Sequence, residues 1–358
     1  MANKLRIKKS LRDFSSYSAD KTDYRYRLNA NELPFEYKKI FKLGSLEEKI
    51  LKKNKITDLN RYPDSFQGEL KSNILKFYKL KKGQILFGNG SDELILYILL
   101  TLTGKTSKVL YLDPSFSMYK ILTKALGLRG VSVPLRSNFN LNLSKVLRAI
   151  KLHDPDVIFI ASPNNPSGNS FDKNELLEVV KYSKGIVVID EAYSQYSNYS
   201  CVNFLKDNKN LLIMKTMSKI GFASLRLGFL LGDKSVIDSI NKLRLPYNIS
   251  TFSQIIANKF YMNPSVIDNH IQTIKNQRVM IIDFLKNFSD VKVFRSDSNF
   301  VLIKLKKSLS LYNFLRSNDL IVKNFPNEKK LSNCLRITIG KPVENNRLMS
   351  LISEFFKK

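Results

Sequence analysis

From about residue 84 onward, short and nearly continuous apolar runs alternate with amphipathic stretches, the rhythm of an α/β protein. A strand is predicted over residues 84–87, followed by a turn at 88–93 and an apolar helix over 94–102. Further strands are predicted over 108–112, 157–161, 186–189, 211–214 and 228–231. Runs that are apolar at almost every position suit strands buried on both faces, as in a mostly parallel central sheet flanked by helices. After about residue 250 the pattern changes: long amphipathic stretches at 253–261 and 269–288 precede two short strands at 300–305 and 335–339. The expectation is a large α/β domain over residues 30–250. A smaller α+β domain, made from 1–29 and 251–358, would close over its crevice.

A polar cluster follows several of these runs, and in open α/β sheets such clusters converge on the ligand crevice at the carboxyl ends of the strands. Gly88-Asn89-Gly90-Ser91-Asp92-Glu93 offers small residues, a hydroxyl and free amides at a helix start, which suits a phosphate. An ordinary cap with Ser or Asp at the N-cap is the plainer alternative. Ser162-Pro163-Asn164-Asn165-Pro166-Ser167-Gly168 has the composition of a turn, and the Asn165 amide there could donate to a cofactor oxygen. Asp190 ends the 186–189 run; a carboxylate there either caps a loop or keeps a pyridinium nitrogen protonated. Tyr193 could bond the cofactor's phenolic oxygen, and Phe116 either stacks on a ring or is an ordinary core residue.

The block Met214-Lys215-Thr216-Met217-Ser218-Lys219, with Arg226 seven residues beyond Lys219, adds an amine, a hydroxyl and a cationic clamp. That ordered set suits pyridoxal phosphate held as a Schiff base.

Composition narrows the class. The 358 residues are 43% hydrophobic, with 23 Phe and 16 Tyr, enough for a large core. Cys201 and Cys334 form no paired motif, which fits thiols in a reducing cytoplasm. With only His153 and His270 present, a His-based metal site or a Ser-His-Asp triad is not expected. The basic N-terminus leads into no secretory apolar segment, and the longest apolar stretch is too short for a bilayer, so a soluble cytoplasmic protein is expected. The net charge of +28 is scattered along the chain with no nucleic-acid-reading module. It suits anionic, phosphorylated small substrates better than nucleic acid.

The chain resembles the fold-type I pyridoxal-phosphate aminotransferases, and among them the histidinol-phosphate branch. The matching stretches are Leu28-Asn29-Ala30-Asn31-Glu32, Asn60-Arg61-Tyr62-Pro63-Asp64, Gly90-Ser91-Asp92-Glu93, residues 162–168 and Asp190-Glu191-Ala192-Tyr193. They continue with Thr216-Met217-Ser218-Lys219, Arg226-Leu227-Gly228, Pro246-Tyr247-Asn248-Ile249-Ser250 and Cys334-Leu335-Arg336-Ile337-Thr338-Ile339-Gly340. The resemblance implies that Lys219 is the Schiff-base lysine and proton shuttle, that Asp190 pairs with the pyridine nitrogen, and that Asn165 and Tyr193 bind the phenolic oxygen. Gly90, Ser91, Asp92, Ser218 and Arg226 would surround the cofactor phosphate. Tyr62 would reach it from a neighbouring subunit, implying a homodimer with shared active sites. Arg336 would bind the carboxylate of glutamate or 2-oxoglutarate.

At the substrate phosphate, Lys323 stands where the family usually has Arg, with Tyr17 near a family Tyr of the N-terminal arm. Lys323 keeps the charge and loses the bidentate fork. The implied activity, a step of histidine biosynthesis, interconverts histidinol phosphate plus 2-oxoglutarate with imidazole-acetol phosphate plus glutamate. An aromatic aminotransferase or a threonine-phosphate decarboxylase on the same fold is the alternative, with a non-enzymatic nucleic-acid-binding relative behind both.

Overall fold

The computed structural model describes residues 25–28, 31 and 63–357. Seven strands form the larger sheet: β2 (Ile85–Asn89), β3 (Lys108–Asp113), β4 (Arg129–Pro134), β5 (Val157–Ala161), β6 (Ile186–Asp190), β7 (Leu211–Thr216) and β8 (Leu227–Gly232). Their order is β2-β8-β7-β6-β5-β3-β4, all parallel except β8, which opposes both β7 and β2. The chain leaves β3 for β4 on one side and returns to β5 on the other. This reversal opens a crevice between the ends of β3 and β5.

Helices cover both faces because alternate strand residues face opposite ways. On one face, Val188, Leu212, Met214 and Phe159 pack with Leu94 and Ile98 of α2 (Ser91–Leu102) and Tyr119 of α3 (Ser117–Ala125). On the other, Val187, Ile189, Leu211 and Ile213 pack with α1 (Gly68–Phe77), α4 (Leu143–His153) and α5 (Lys173–Tyr182). Strands β5, β7 and β8 are buried throughout, as their largely apolar runs suggest, with Lys215 the charged exception to that pattern in β7. Each large aliphatic side chain so buried contributes roughly 1.5–3 kcal/mol.

The smaller sheet has the order β1-β11-β12-β10-β9. Here β1 is Tyr26–Leu28, β9 Lys292–Val293, β10 Phe300–Lys304, β11 Leu320–Asn324 and β12 Cys334–Thr338. Helices α6 (Lys234–Asn241), α7 (Thr251–Met262), α8 (Asp268–Lys286), α9 (Ser308–Ser317) and α10 (Pro342–Lys357) are the remaining α-helices among the described residues.

The two strands expected near residues 300 and 335 are joined by β9, β11 and β1. Two-residue β9 is too short to leave a pattern, and β11 ends in polar Lys323-Asn324, so neither stands out in sequence. Outer strand β4 alternates exposed and buried positions without a continuous apolar run. Among the described residues no helix is long and apolar enough to cross a membrane.

Candidate active site

Strands β6 and β7 deliver the central groups. Asp190, the last residue of β6, is 4% exposed and shares its sheet face with Tyr119, whose hydroxyl donates to Asp190 Oδ2 at 2.6 Å. The Ala192 amide donates to Oδ1 at 3.0 Å. Burial lifts this carboxyl from 3.8 to about 6, although both hydrogen bonds pull the other way. Burial and the adjacent Asp190 charge also push the Tyr119 phenol well up.

Lys219 lies in the short 3-10 turn after β7, and its carbonyl accepts from the buried Tyr196 hydroxyl at 2.6 Å. Its Nζ is 5.9 Å from the centre of the Tyr193 ring. Tyr193 is buried and packs edge-on against Phe300 at 5.1 Å. Thus Lys219, Tyr193 and Asp190 gather at the carboxyl ends of β6 and β7. Phe116 is half-buried at the start of α3 and meets Tyr119 edge-on at 5.6 Å, one ring removed from Asp190.

Gly90 is the N-cap of α2 and makes no side-chain cap, so the first amides of the helix, including those of Ser91 and Asp92, are left facing outward. The plainer expectation of a Ser or Asp cap therefore fails: Gly90, at φ 82°, takes that place because a side chain does not fit. A Cβ on Gly90 would come within 2.5 Å of Arg226 Nη2. One on Gly228 would meet the Gly90 backbone at 2.7 Å. Two glycines thus let the β8 segment and the helix start press together beneath the Arg226 guanidinium, which pairs with Asp92 at 3.3 Å. Ser218 is buried beside this cradle and its amide donates to Thr216 Oγ1 at 3.2 Å. Outward amides, an arginine and a serine form a site whose chemistry fits a phosphate monoester.

Arg336 on β12 is 8% exposed, not a surface arginine. Its Nη1 donates to Asn165 Oδ1 at 2.5 Å and its guanidinium lies 5.1 Å from the Phe300 ring centre. Lys323 on β11 is the register partner of Arg336, so the two cations leave the same face of the smaller sheet, with Lys323 exposed. Tyr62 and Tyr17 lie outside the described residues.

Sequence reasoning missed five contributors. Tyr119 is inconspicuous within an amphipathic helix. Asn164, beside the expected Asn165, stitches β3 to β5 by donating to the Pro114 carbonyl at 3.1 Å and accepting from Ser115 Oγ at 2.7 Å. Asn31 donates to Tyr193 Oη at 3.1 Å. Glu191 and Lys215 form a buried ion pair at 2.6 Å. Lys215 had a visible signal: a charge inside the β7 run at an inward-facing position.

Comparison with known proteins agrees with this architecture. Residues 26–352 match the aminotransferase class I and II family. Histidinol-phosphate aminotransferase of Vesicomyosocius okutanii subsp. Calyptogena okutanii is 36% identical over 341 residues, covering 92% of this chain and 96% of that protein. The enzyme of the same name from Ruminiclostridium cellulolyticum is 36% identical over 347 residues, covering 96% of each. The crystal structure of the histidinol-phosphate aminotransferase from Clostridium acetobutylicum has a TM-score of 0.83 at 26% identity, covering 92% of this chain and 98% of that one.

The fold is that of a pyridoxal-phosphate-dependent transferase. The chain belongs to the class I and II aminotransferase family and is an enzyme of that kind.

Proposed function

We propose that this aminotransferase interconverts histidinol phosphate plus 2-oxoglutarate with imidazole-acetol phosphate plus glutamate, in histidine biosynthesis. The observation that carries the substrate reading is the pairing of Lys323 with Arg336 across β11 and β12. Two cations on one face, one buried beside Asn165 and one exposed, suit a substrate with two anionic ends or two alternating anionic substrates.

When bound, pyridoxal phosphate supplies a pyridinium ring that withdraws electrons from the carbon bearing the amine. Gly90, Ser91, Asp92, Ser218 and Arg226 hold its phosphate in this reading. Asp190 holds a proton at the ring nitrogen, a role suited to a buried carboxylate with no cation of its own in the pairs described above. Asn165 and Tyr193 would bind the cofactor's phenolic oxygen, and Phe116 would pack against its ring. Lys219 Nζ would take the proton from the substrate α-carbon and release it again, acting as the proton shuttle. Arg336 grips a substrate carboxylate, while Lys323, with Tyr17 from the N-terminal arm, receives the substrate phosphate.

The division into a large domain over 30–250 and a smaller one from 1–29 and 251–358 belongs to the same proposal, with catalysis in the crevice between them. So does a cytoplasmic homodimer in which Tyr62 reaches the partner's cofactor phosphate. Supporting the dimer, segment 64–66 is tied to 244–254 by Arg244 Nη2 bonding the Ser65 carbonyl and Gln254 Nε2 bonding the Asp64 carbonyl. That surface exposes Phe66, Leu245, Tyr247 and Phe252, an apolar group that a second copy would cover.

The test is spectroscopic. Histidinol phosphate added to the pyridoxal-phosphate-loaded protein should remove the cofactor's visible absorption band, and 2-oxoglutarate should restore it. A response only to phenylalanine or tyrosine would keep the transaminase and discard the phosphorylated substrate. Lys219→Ala should abolish turnover in a folded protein.

A further inference from the structure

We infer that Asn31 is a positioning residue that fixes which way the Tyr193 hydroxyl points its proton. The inference rests on the reading of Tyr193 as a donor to the cofactor's phenolic oxygen.

Asn31 is 1% exposed and sits in the left-handed region at φ 55°, which asparagine tolerates better than most residues. Every polar group on it has a partner. The main-chain carbonyl accepts from Asn299 Nδ2 at 2.9 Å, and the main-chain amide donates to Thr338 Oγ1 at 3.2 Å. Having accepted that amide proton, the Thr338 hydroxyl donates its own to Asn31 Oδ1 at 2.7 Å. The side-chain amide thus has a defined orientation: its oxygen faces Thr338 and its nitrogen faces Tyr193 Oη at 3.1 Å.

An amide nitrogen only donates, so Tyr193 Oη must accept on that side. A phenolic hydrogen prefers the plane of its ring, which leaves two settings, and it does not point at a group that only donates. The ring itself cannot easily turn to escape, because Phe300 stands edge-on at 5.1 Å. The Tyr193 proton is therefore directed away from Asn31, leaving it free to donate to a bound group.

Asn299 precedes β10 and Thr338 ends β12, both in the smaller sheet, whereas Tyr193 follows β6 of the larger one. Asn31 therefore sets the polarity of a hydroxyl in one half of the molecule from anchors in the other. A carboxylate in its place would accept from Tyr193 and reverse the polarity.

The experiment reconstitutes the cofactor-free protein with pyridoxal phosphate and records the pH midpoint of the visible absorption band, together with the dissociation constant for the cofactor. Tyr193→Phe should move the midpoint to higher pH, because an oxygen that has lost its donor holds a proton more tightly. Asn31→Asp should move it the same way by about one pH unit, a tenfold change in the protonation ratio. Asn31→Ala and Thr338→Val, which add no charge, should each give a smaller shift of the same sign. A residue with only a structural role would lower the melting temperature and leave the midpoint in place.

If Tyr193→Phe shifts the midpoint while the Asn31 and Thr338 variants do not, the role of Asn31 is overturned and that of Tyr193 stands. If Tyr193→Phe itself has no effect, the reading of Tyr193 fails and the inference falls with it. Should Asn31→Asp fail to fold, Asn31→Ala and Thr338→Val decide the matter by the same midpoint.

Discussion

Glu191 and Lys215 meet at 2.6 Å on the opposite face of the sheet from Asp190, so two consecutive carboxylates serve two different sides of one strand end. Both partners are almost fully buried. Glu191 also accepts from Ser200 Oγ at 2.6 Å and from the Cys201 amide at 2.5 Å, while Lys215 Nζ reaches Ser194 Oγ at 2.9 Å. The pair ties the end of β7 to the segment following β6, close to both Asp190 and the Lys219 turn.

Breaking such a pair from one side leaves a buried charge without its partner. Lys215→Met should destabilise the protein by about 3–5 kcal/mol, and adding Glu191→Leu should recover part of that loss. Urea unfolding of the single and double variants measures both. Equal stability of the two would mean that the charge on Glu191 is not what Lys215 balances.

Asp190 makes a prediction with two opposite signs. Burial holds its carboxyl at about 6 instead of 3.8, so the folded chain binds this proton more tightly than the unfolded one. The resulting contribution to stability is fully present below pH 3.8 and is lost as pH rises through about 6. The difference of about two units corresponds to ~3 kcal/mol. Without cofactor at neutral pH, Asp190→Asn should therefore be more stable than the unmodified protein, by up to that amount, and the gap should vanish near pH 4. The same variant should lose most transaminase activity. Unfolding curves between pH 4 and 8 beside a turnover assay test the pair of effects.

Gly90→Ala places a methyl where the Arg226 guanidinium lies and forces alanine into a left-handed backbone, a strain of about 1 kcal/mol before any displacement. Pyridoxal phosphate should bind at least ~10-fold more weakly, equivalent to about 1.4 kcal/mol. Fluorescence titration of the cofactor-free variant reads this directly.

Much of this arrangement was legible in the chain. The runs that became β5 to β8 are apolar because both faces of each strand are covered, and Asp190 and Lys219 stand where those runs stop. Arg336 was visible as a lone charge inside an apolar strand, which its burial explains. Other contributors were not. Asn31 acts through partners some 300 residues away, at Asn299 and Thr338, and nothing local marks that. Tyr119 looks like any tyrosine of an amphipathic helix until the fold turns its hydroxyl to Asp190. Gly90 announced a turn, whereas the reason for glycine is a guanidinium supplied by Arg226, the residue just before β8.

Lys323 offers a charge without a fork. Lys323→Ala should raise the KM for histidinol phosphate about tenfold or more and leave that for an unphosphorylated aromatic donor nearly unchanged. Lys323→Arg should lower the KM for the phosphorylated donor. Equal effects on both donors would remove Lys323 from phosphate recognition.

The exposed group around Leu245 bears on assembly. Introducing charge with Phe66→Asp and Leu245→Asp together should convert a dimer to monomers in sedimentation or light-scattering measurements. If the site is shared as proposed, activity should fall in parallel. A fully active monomer would contradict a site completed by Tyr62.

The split between Asp190 and Glu191 has a consequence for any attempt to rebuild this scaffold. Side chains on a strand alternate, so sliding β6 by one residue against β5 and β7 would exchange the two carboxylates. Glu191 would then stand where Asp190 meets Tyr119, and Asp190 would turn to the face that holds Lys215. Such an error would keep the sheet, its hydrogen-bond ladder and its overall charge. It would show itself only as an enzyme with the right acid on the wrong side.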